Sequence, residues 1–174
     1  TVITGLEHLP KSILFYRQQL QWFGGIGVIV FALAILPILG IGGMQLFRAE
    51  VPGPVKNTKL TPRIAETAKA LIYMYILFTA ACALCYKFAG MSSFDAICHA
   101  FSTISIGGFS TYDQSIGYFD SSLIEGICVF FMLIAGINFT LHFTAWHQKA
   151  YRHYLQDSEC RFYLLFVFAV FAAS

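Results

Sequence analysis

The chain has 174 residues, of which 57% are hydrophobic and 11% charged, with a mean hydropathy of +0.68 and a formal net charge of +2. Soluble domains carry about 25% charged residues, so this composition excludes a soluble domain and defines an integral membrane protein. No nucleic-acid partner is expected. The charges are unevenly spread: eight of the eleven Lys and Arg fall within residues 48–69 and 149–161. Between Phe88 and Gln148 there is none, although Asp95, Asp113, Asp120 and Glu125 lie there. The positive-inside rule places residues 48–62 and 148–161 in the cytoplasm and the loop at 105–120 on the outer, periplasmic side.

In chain order, residues 1–9 are short and polar, and Pro10 is placed to open a helix at its first position. The start, Thr1-Val-Ile-Thr-Gly5, reads as the middle of something, and the last residues stop inside an apolar run. Both ends are therefore expected to be cut from a longer polytopic chain. Residues 22–44 carry no charge and are long enough for a first span. Gly24, Gly25 and Gly27 would admit a second backbone at close range, and Pro37 would kink the lower part. Arg48 then anchors the span at the surface, and Val51-Pro-Gly-Pro54 forms a turn-rich loop. Pro62 is expected to start the next helix, whose second span covers residues 70–86 and ends at Lys87 and Gly90. A third span is expected over residues 121–146, unbroken, with Asn138 and His142 on one face toward its inner end. Hydrogen bonding between helices is the more economical reading of those two groups, ahead of a pore-lining role. A fourth span begins at Phe162. Five cysteines sit mostly in apolar surroundings, and Cys82-Ala-Leu-Cys85 lies within a membrane helix, where packing is a better account than redox chemistry.

Between the second and third spans lies Cys98-His-Ala-Phe-Ser-Thr-Ile-Ser-Ile-Gly-Gly-Phe-Ser-Thr111. This stretch is too short to cross a bilayer and too apolar for an ordinary loop. Ser92 or Ser93 offers an N-cap, and Asp95 in the first turn suits the helix dipole. A helix over residues 94–104 would be about 16 Å long, half a membrane. The reading is a re-entrant loop: a half-helix followed by a strand-like return. Non-helical backbone at membrane depth survives only when buried in protein or lining a water-filled cavity. Ser105-Ile-Gly-Gly-Phe-Ser110 would be such backbone: its Ile and Gly side chains offer nothing polar, but its carbonyls can replace a cation's water shell. Glycine reaches positive φ without steric cost, which lets successive carbonyls aim at one axis. Ser105, Phe109 and Ser110 would support such a filter, with Phe109 behind it. Asp113 at the outer mouth would raise the local cation concentration. The competing structural reading is a tight loop with Gly-Gly as its turn.

The run Phe101-Ser-Thr-Ile-Ser-Ile-Gly-Gly-Phe-Ser-Thr111 resembles the second pore loop of the Trk/Ktr/HKT potassium transporter superfamily. Three further segments are similar to the membrane subunit of bacterial Trk systems: Tyr16-Arg-Gln-Gln-Leu-Gln-Trp-Phe-Gly-Gly-Ile-Gly27, Gly42-Gly-Met-Gln-Leu-Phe-Arg-Ala-Glu-Val-Pro-Gly-Pro54 and Pro62-Arg-Ile-Ala-Glu-Thr-Ala-Lys69. The resemblance implies an all-α integral membrane fold of four helix–pore-loop–helix repeats around one central pore. On that mapping residues 1–47 end repeat one, 48–62 form a cytoplasmic loop, 63–147 are all of repeat two, and 148–174 hold a cytoplasmic loop and the start of repeat three. The filter glycine maps to Gly108, with Gly107 as the alternative. K⁺ would be the transported ion at Ile106, Gly107 and Gly108, with no other cofactor and no enzymatic activity. Ile106 stands where potassium channels carry a threonine hydroxyl, which implies less strict K⁺ over Na⁺ selectivity. The resemblance also implies the bacterial inner membrane, a homodimer and a cytoplasmic nucleotide-binding regulatory ring of the TrkA type. The basic loop from Arg48 to Arg63 would either dock that ring or merely set topology.

The alternative reading is a secondary transporter with a broken helix at Gly107 and Gly108 and a side-chain site at Asn138 and His142. An intramembrane enzyme built on Asp95 and His99, four apart on the half-helix, lacks a serine, cysteine or metal partner at a recognisable spacing.

Overall fold

Pro10 has no N–H to lose, and its carbonyl accepts from Ile13 (2.9 Å) and Leu14 (3.2 Å), so the first long helix is launched one residue later than the sequence suggested. The structure is a computed structural model that describes residues 4–39, 60–148 and 152–173. The expectations for residues 40–59, including Arg48 and the turn at 51–54, and for residues 149–151 lie outside the described residues.

Helix α1 (Lys11–Leu39) continues through Pro37. Helix α2 (Leu60–Phe88) begins two residues before Pro62, which leaves the proline in the first turn where its missing N–H costs nothing. Its segment Lys69–Phe88 is long and apolar enough to cross a membrane unaided. Gly90 ends α2 at φ 107: Gly90 N–H donates to the Lys87 carbonyl (3.2 Å) and Met91 N–H to the Tyr86 carbonyl (3.1 Å). This is a Schellman cap, with Met91 and Tyr86 both buried beside it. The turn leads straight into the half-helix α3 (Ser93–Ile104), whose 12 residues measure about 18 Å. Ser92 is its N-cap, accepting from the Asp95 N–H at 3.1 Å.

Helix α3 sits in the crevice between α1, α2 and α4 (Ser122–Ala135). Eight of its twelve residues are buried, and Ala96 and Ala100 keep it close to its neighbours. Trp22 of α1 stacks on Phe101 of α3 with centroids 5.1 Å apart and donates its indole N–H to Thr79 of α2 at 3.0 Å. The hydroxyls of Tyr86 and Thr103, 2.8 Å apart, hydrogen-bond α2 to α3. Of the three glycines on α1, it is Gly25 that meets a neighbour: a Cβ there would strike the Tyr75 hydroxyl and lie 3.2 Å from Ser105 Cβ. Gly24 and Gly27 face open space.

The third span is not continuous. Helix α4 stops at Ala135, and α5 (Phe139–Gln148) starts after a break at residues 136–138. Glycine is a poor helix former, and asparagine favours helix starts over interiors. The Asn138 carbonyl accepts from Leu141 (2.9 Å) and His142 (3.4 Å), opening α5. Helix α7 (Ser158–Ala173) follows the short α6 (Arg152–Gln156), and its Tyr163 hydroxyl lies where a side chain at Gly136 would have to go. His142 closes the break: Nε2 bonds the Ile134 carbonyl at 2.9 Å and Nδ1 bonds the Tyr154 hydroxyl at 2.9 Å. The Cys-x-x-C pair carries no disulfide: Cys82 is buried on α2, as a packing residue would be, whereas Cys85 is exposed.

Candidate pore-loop site

The C-terminal end of α3 builds the site. Ser105 N–H donates to the Phe101 carbonyl (3.2 Å), Ile106 N–H to Thr103 (3.2 Å) and Gly107 N–H to Ser102 (2.8 Å). The last two bonds form a second Schellman cap, and its left-handed position is held by Ile106 at φ 53 rather than by glycine. A β-branched residue at positive φ is an outlier that costs of order 1–3 kcal/mol and persists only where its surroundings over-determine it. Gly108 is left-handed again, at φ 72, while Gly107 between them is not. In extended backbone successive carbonyls alternate sides. Interleaved left-handed residues turn the peptide planes, so that neighbouring carbonyls face the same way.

Among the described residues no hydrogen bond reaches the carbonyl oxygens of Ile106, Gly107 or Gly108. The segment returns without pairing as a strand. Ser102 supports it twice, through its carbonyl to Gly107 and through its hydroxyl, which accepts from Phe109 N–H at 2.8 Å. The Ser105 hydroxyl donates to the same carbonyl at 3.3 Å. Gly107 lies under Gln21 of α1, whose amide occupies the position a Cβ would take. Gly108 faces open space, so its conformation alone demands glycine. Ile106 is 53% exposed and Phe109 40% exposed, and the Arg17 guanidinium sits 5.6 Å from the Phe109 ring centroid. Ser110 is buried, with its hydroxyl 2.9 Å from His99 Nε2.

Asp113 has a second occupation. Its carboxylate accepts the Gly5 N–H at 2.6 Å and the Leu6 N–H at 3.1 Å, tying the 3₁₀ turn at Leu6–His8 to the loop. Those backbone donors hold its pKa below the usual carboxylate value. A depressed carboxylate contributes stability that is present above its unfolded value, about 3.9, and lost as pH falls through the folded one. Amide exchange at Gly5 and Leu6 is therefore expected to be protected at neutral pH and to lose protection as pH drops below about 4. Asp113→Ala should remove the protection at every pH, and unchanged exchange in that variant would refute the tether.

Sequence reasoning missed Ser102, weighed His99 only as half of an enzyme pair with Asp95, and gave Thr111 no role; in the structure Ser102 and His99 bond the loop and Thr111 bonds Asp95. The one signal that pointed to Ser102 and His99 was the Asp95, His99, Ser102 series along one side of the half-helix. Asn138 and His142, grouped in the sequence, lie at the broken helix and not at the loop.

A half-helix that ends in backbone whose carbonyls are unbonded among the described residues, wedged among apolar helices, defines a pore-loop membrane protein of the helix–pore-loop–helix class. The family model described as "TrkH: Cation transport protein" matches residues 1–172, and the chain belongs to that family. The Trk system potassium uptake protein TrkH of Halomonas elongata is 61% identical over 167 residues, covering 96% of this chain and 35% of that protein. Its namesake in Escherichia coli K12 is 59% identical over 164 residues, covering 94% of this chain and 34% of that protein. The crystal structure of the potassium transporter TrkH from Vibrio parahaemolyticus superposes with a TM-score of 0.79 at 54% identity, over 95% of this chain and 32% of that one. The chain thus spans about a third of the length of these relatives.

Proposed function

We propose that this chain supplies one of the filter loops of a potassium uptake subunit in the bacterial inner membrane, and that Ile106, Gly107 and Gly108 bind K⁺ through their carbonyls. The observation that carries this reading is the pair of left-handed residues, Ile106 and Gly108, at the end of a capped half-helix, where among the described residues the carbonyls of Ile106, Gly107 and Gly108 carry no hydrogen bond. Such carbonyls keep their full capacity for a cation that sheds water, and the helix C-terminus adds a partial negative charge below it. The names of the relatives, potassium uptake proteins, agree with it. Residues 1–47 would end repeat one, 63–147 form repeat two, and 148–174 open repeat three. Residues 48–62 and 148–161 would face the cytoplasm and the loop at 105–120 the periplasm. Ser105, Phe109 and Ser110 would brace the filter, and Asp113 would combine its tether with a charge at the outer mouth. A homodimer and a TrkA-type nucleotide-binding ring, docked on the basic loop from Arg48 to Arg63, complete the proposal.

The transporter alternative needs a hinge at Gly107 and Gly108 and a free side-chain site. Gly107 and Gly108 instead follow a capped helix end, and both ring nitrogens of His142 are already engaged. The cavity beside His142, about 750 Å³, is lined by Met74, Phe78, Ile134 and Trp146 and offers a cation few ligands. The discriminating test is Rb⁺ uptake by a chain of the relatives' full length with this segment in place, in cells lacking other potassium uptake. Asn138→Ala should retain most of the uptake. Its loss, with the protein still in the membrane, would favour the side-chain site.

A further inference from the structure

Behind the loop one buried carboxylate gathers hydroxyls. Asp95, on the first turn of α3, is 7% exposed. Its Oδ2 accepts from the Ser92 hydroxyl at 2.6 Å and the Tyr112 hydroxyl at 3.2 Å, and its Oδ1 accepts from the Thr111 hydroxyl at 3.1 Å. One turn on, His99 is 4% exposed. Its Nδ1–H donates to the Asp95 carbonyl at 2.8 Å, because a carbonyl can only accept. Nε2 is then the acceptor, taking the Ser110 hydroxyl proton at 2.9 Å. The Ser110 oxygen in turn accepts the Tyr112 N–H at 3.1 Å.

Of the three successive residues after the filter, Thr111 and Tyr112 are therefore bonded to the first turn of the half-helix, through Asp95, and Ser110 to its middle, through His99. Ser102 bonds Gly107 and Phe109 to its end. The loop is clamped along one rigid helix, and among the described residues the carbonyls of Ile106, Gly107 and Gly108 are left without hydrogen bonds. Hydrogen bonds to a buried carboxylate are strong and directional, so the clamp sets how far apart, and at what angle, the intervening carbonyls stand. A slack loop would let carbonyls close on a smaller ion, whereas a taut one would hold the larger spacing. We propose that Asp95 and His99 are positioning residues of the filter, acting through Ser110, Thr111 and Tyr112 to set its preference for K⁺ over Na⁺. The inference rests on the filter reading given above.

The test is the Rb⁺-to-Na⁺ uptake ratio at matched membrane abundance, in the full-length chain. Asp95→Asn removes the charge and turns one acceptor oxygen into a donor, so the Ser92, Thr111 and Tyr112 hydroxyls can no longer all donate to a carboxylate. The ratio should fall by about tenfold, the scale of one lost hydrogen bond to a charged group. Tyr112→Phe removes one hydroxyl and keeps the ring that stacks on Tyr118, so the ratio should fall in the same direction and by less. It also carries the test if Asp95→Asn fails to reach the membrane. A merely structural network would lower abundance and total flux and leave the ratio alone. That result in either correctly inserted variant overturns the proposal. Gly108→Ser is run beside them. If it shifts the ratio and the clamp variants do not, the positioning role alone fails. If it leaves the ratio unchanged too, the filter reading fails and takes this inference with it.

Discussion

Gly108→Ser in the full-length chain is expected to cut Rb⁺ uptake about tenfold, or to let Na⁺ through, while membrane abundance stays unchanged. The reason is conformational. Gly108 sits at φ 72, where an L-residue costs roughly 1–2 kcal/mol. A Cβ there would meet nothing within 4 Å, so the substitution has no clash to destabilise the fold. The backbone can escape the strain only by rotating, and rotation re-aims the Gly107 and Gly108 carbonyls. Ile106 already holds one unfavourable left-handed position, so the loop has little tolerance for a second. Uptake of Rb⁺ and Na⁺, measured in cells lacking other potassium uptake, decides the matter. Wild-type fluxes for both ions would show that Gly107 and Gly108 are only a turn.

Gly25→Val should have the largest effect on stability. The residue lies where α1 crosses α2 and touches the start of the loop. Tyr75, 1% exposed, cannot swing away: its ring is packed between Trp22 and Phe139, and its hydroxyl donates to the Trp22 carbonyl at 3.2 Å. Overpacking of this kind costs about 1–3 kcal/mol, and Ser105 stands close enough to be pushed with it. The thermal midpoint of the detergent-solubilised full-length chain should fall by several degrees. Tyr75→Phe removes the atom struck first and sacrifices one hydrogen bond, worth about 1 kcal/mol. The double variant should therefore be more stable than the sum of the two single losses predicts. Strict additivity would mean that the helices re-space freely and that the glycine is not a contact point.

The half-helix, a serine cap at Ser92 or Ser93, Asp95 in its first turn and the non-helical stretch after it were all readable in the chain. Cap chemistry and apolar length are local properties, and local properties survive folding. The membrane class followed from composition, because bilayer solvation leaves so few charged residues. The break at residues 136–138 was not read from the sequence: Gly136 and Asn138 are weak signals inside an otherwise apolar run, and a lone glycine or asparagine is often carried within a membrane helix. It depends on Tyr163 crowding Gly136 from a helix nearly thirty residues later and on His142 taking up the Ile134 carbonyl. Gly25 could not be told from Gly24 and Gly27 for a similar reason: three glycines in one helix look alike until a partner faces one of them. Asp113 read as a free charge because its partners, the N–H groups of Gly5 and Leu6, are more than a hundred residues away in the chain.

By itself the sequence determined the membrane setting, the order of long and half-length helices, and which backbone would be left outside a helix. Those are matters of hydropathy, length and capping, decided within a few turns. Only the tertiary structure decided that Ile106 would take the left-handed position, that Gly107 would lie under Gln21, and that Asp95 and His99 would bind the far side of the loop. Each of these rests on groups that become neighbours only when α1, α2 and the half-helix pack together, and packing geometry is not written in any one segment.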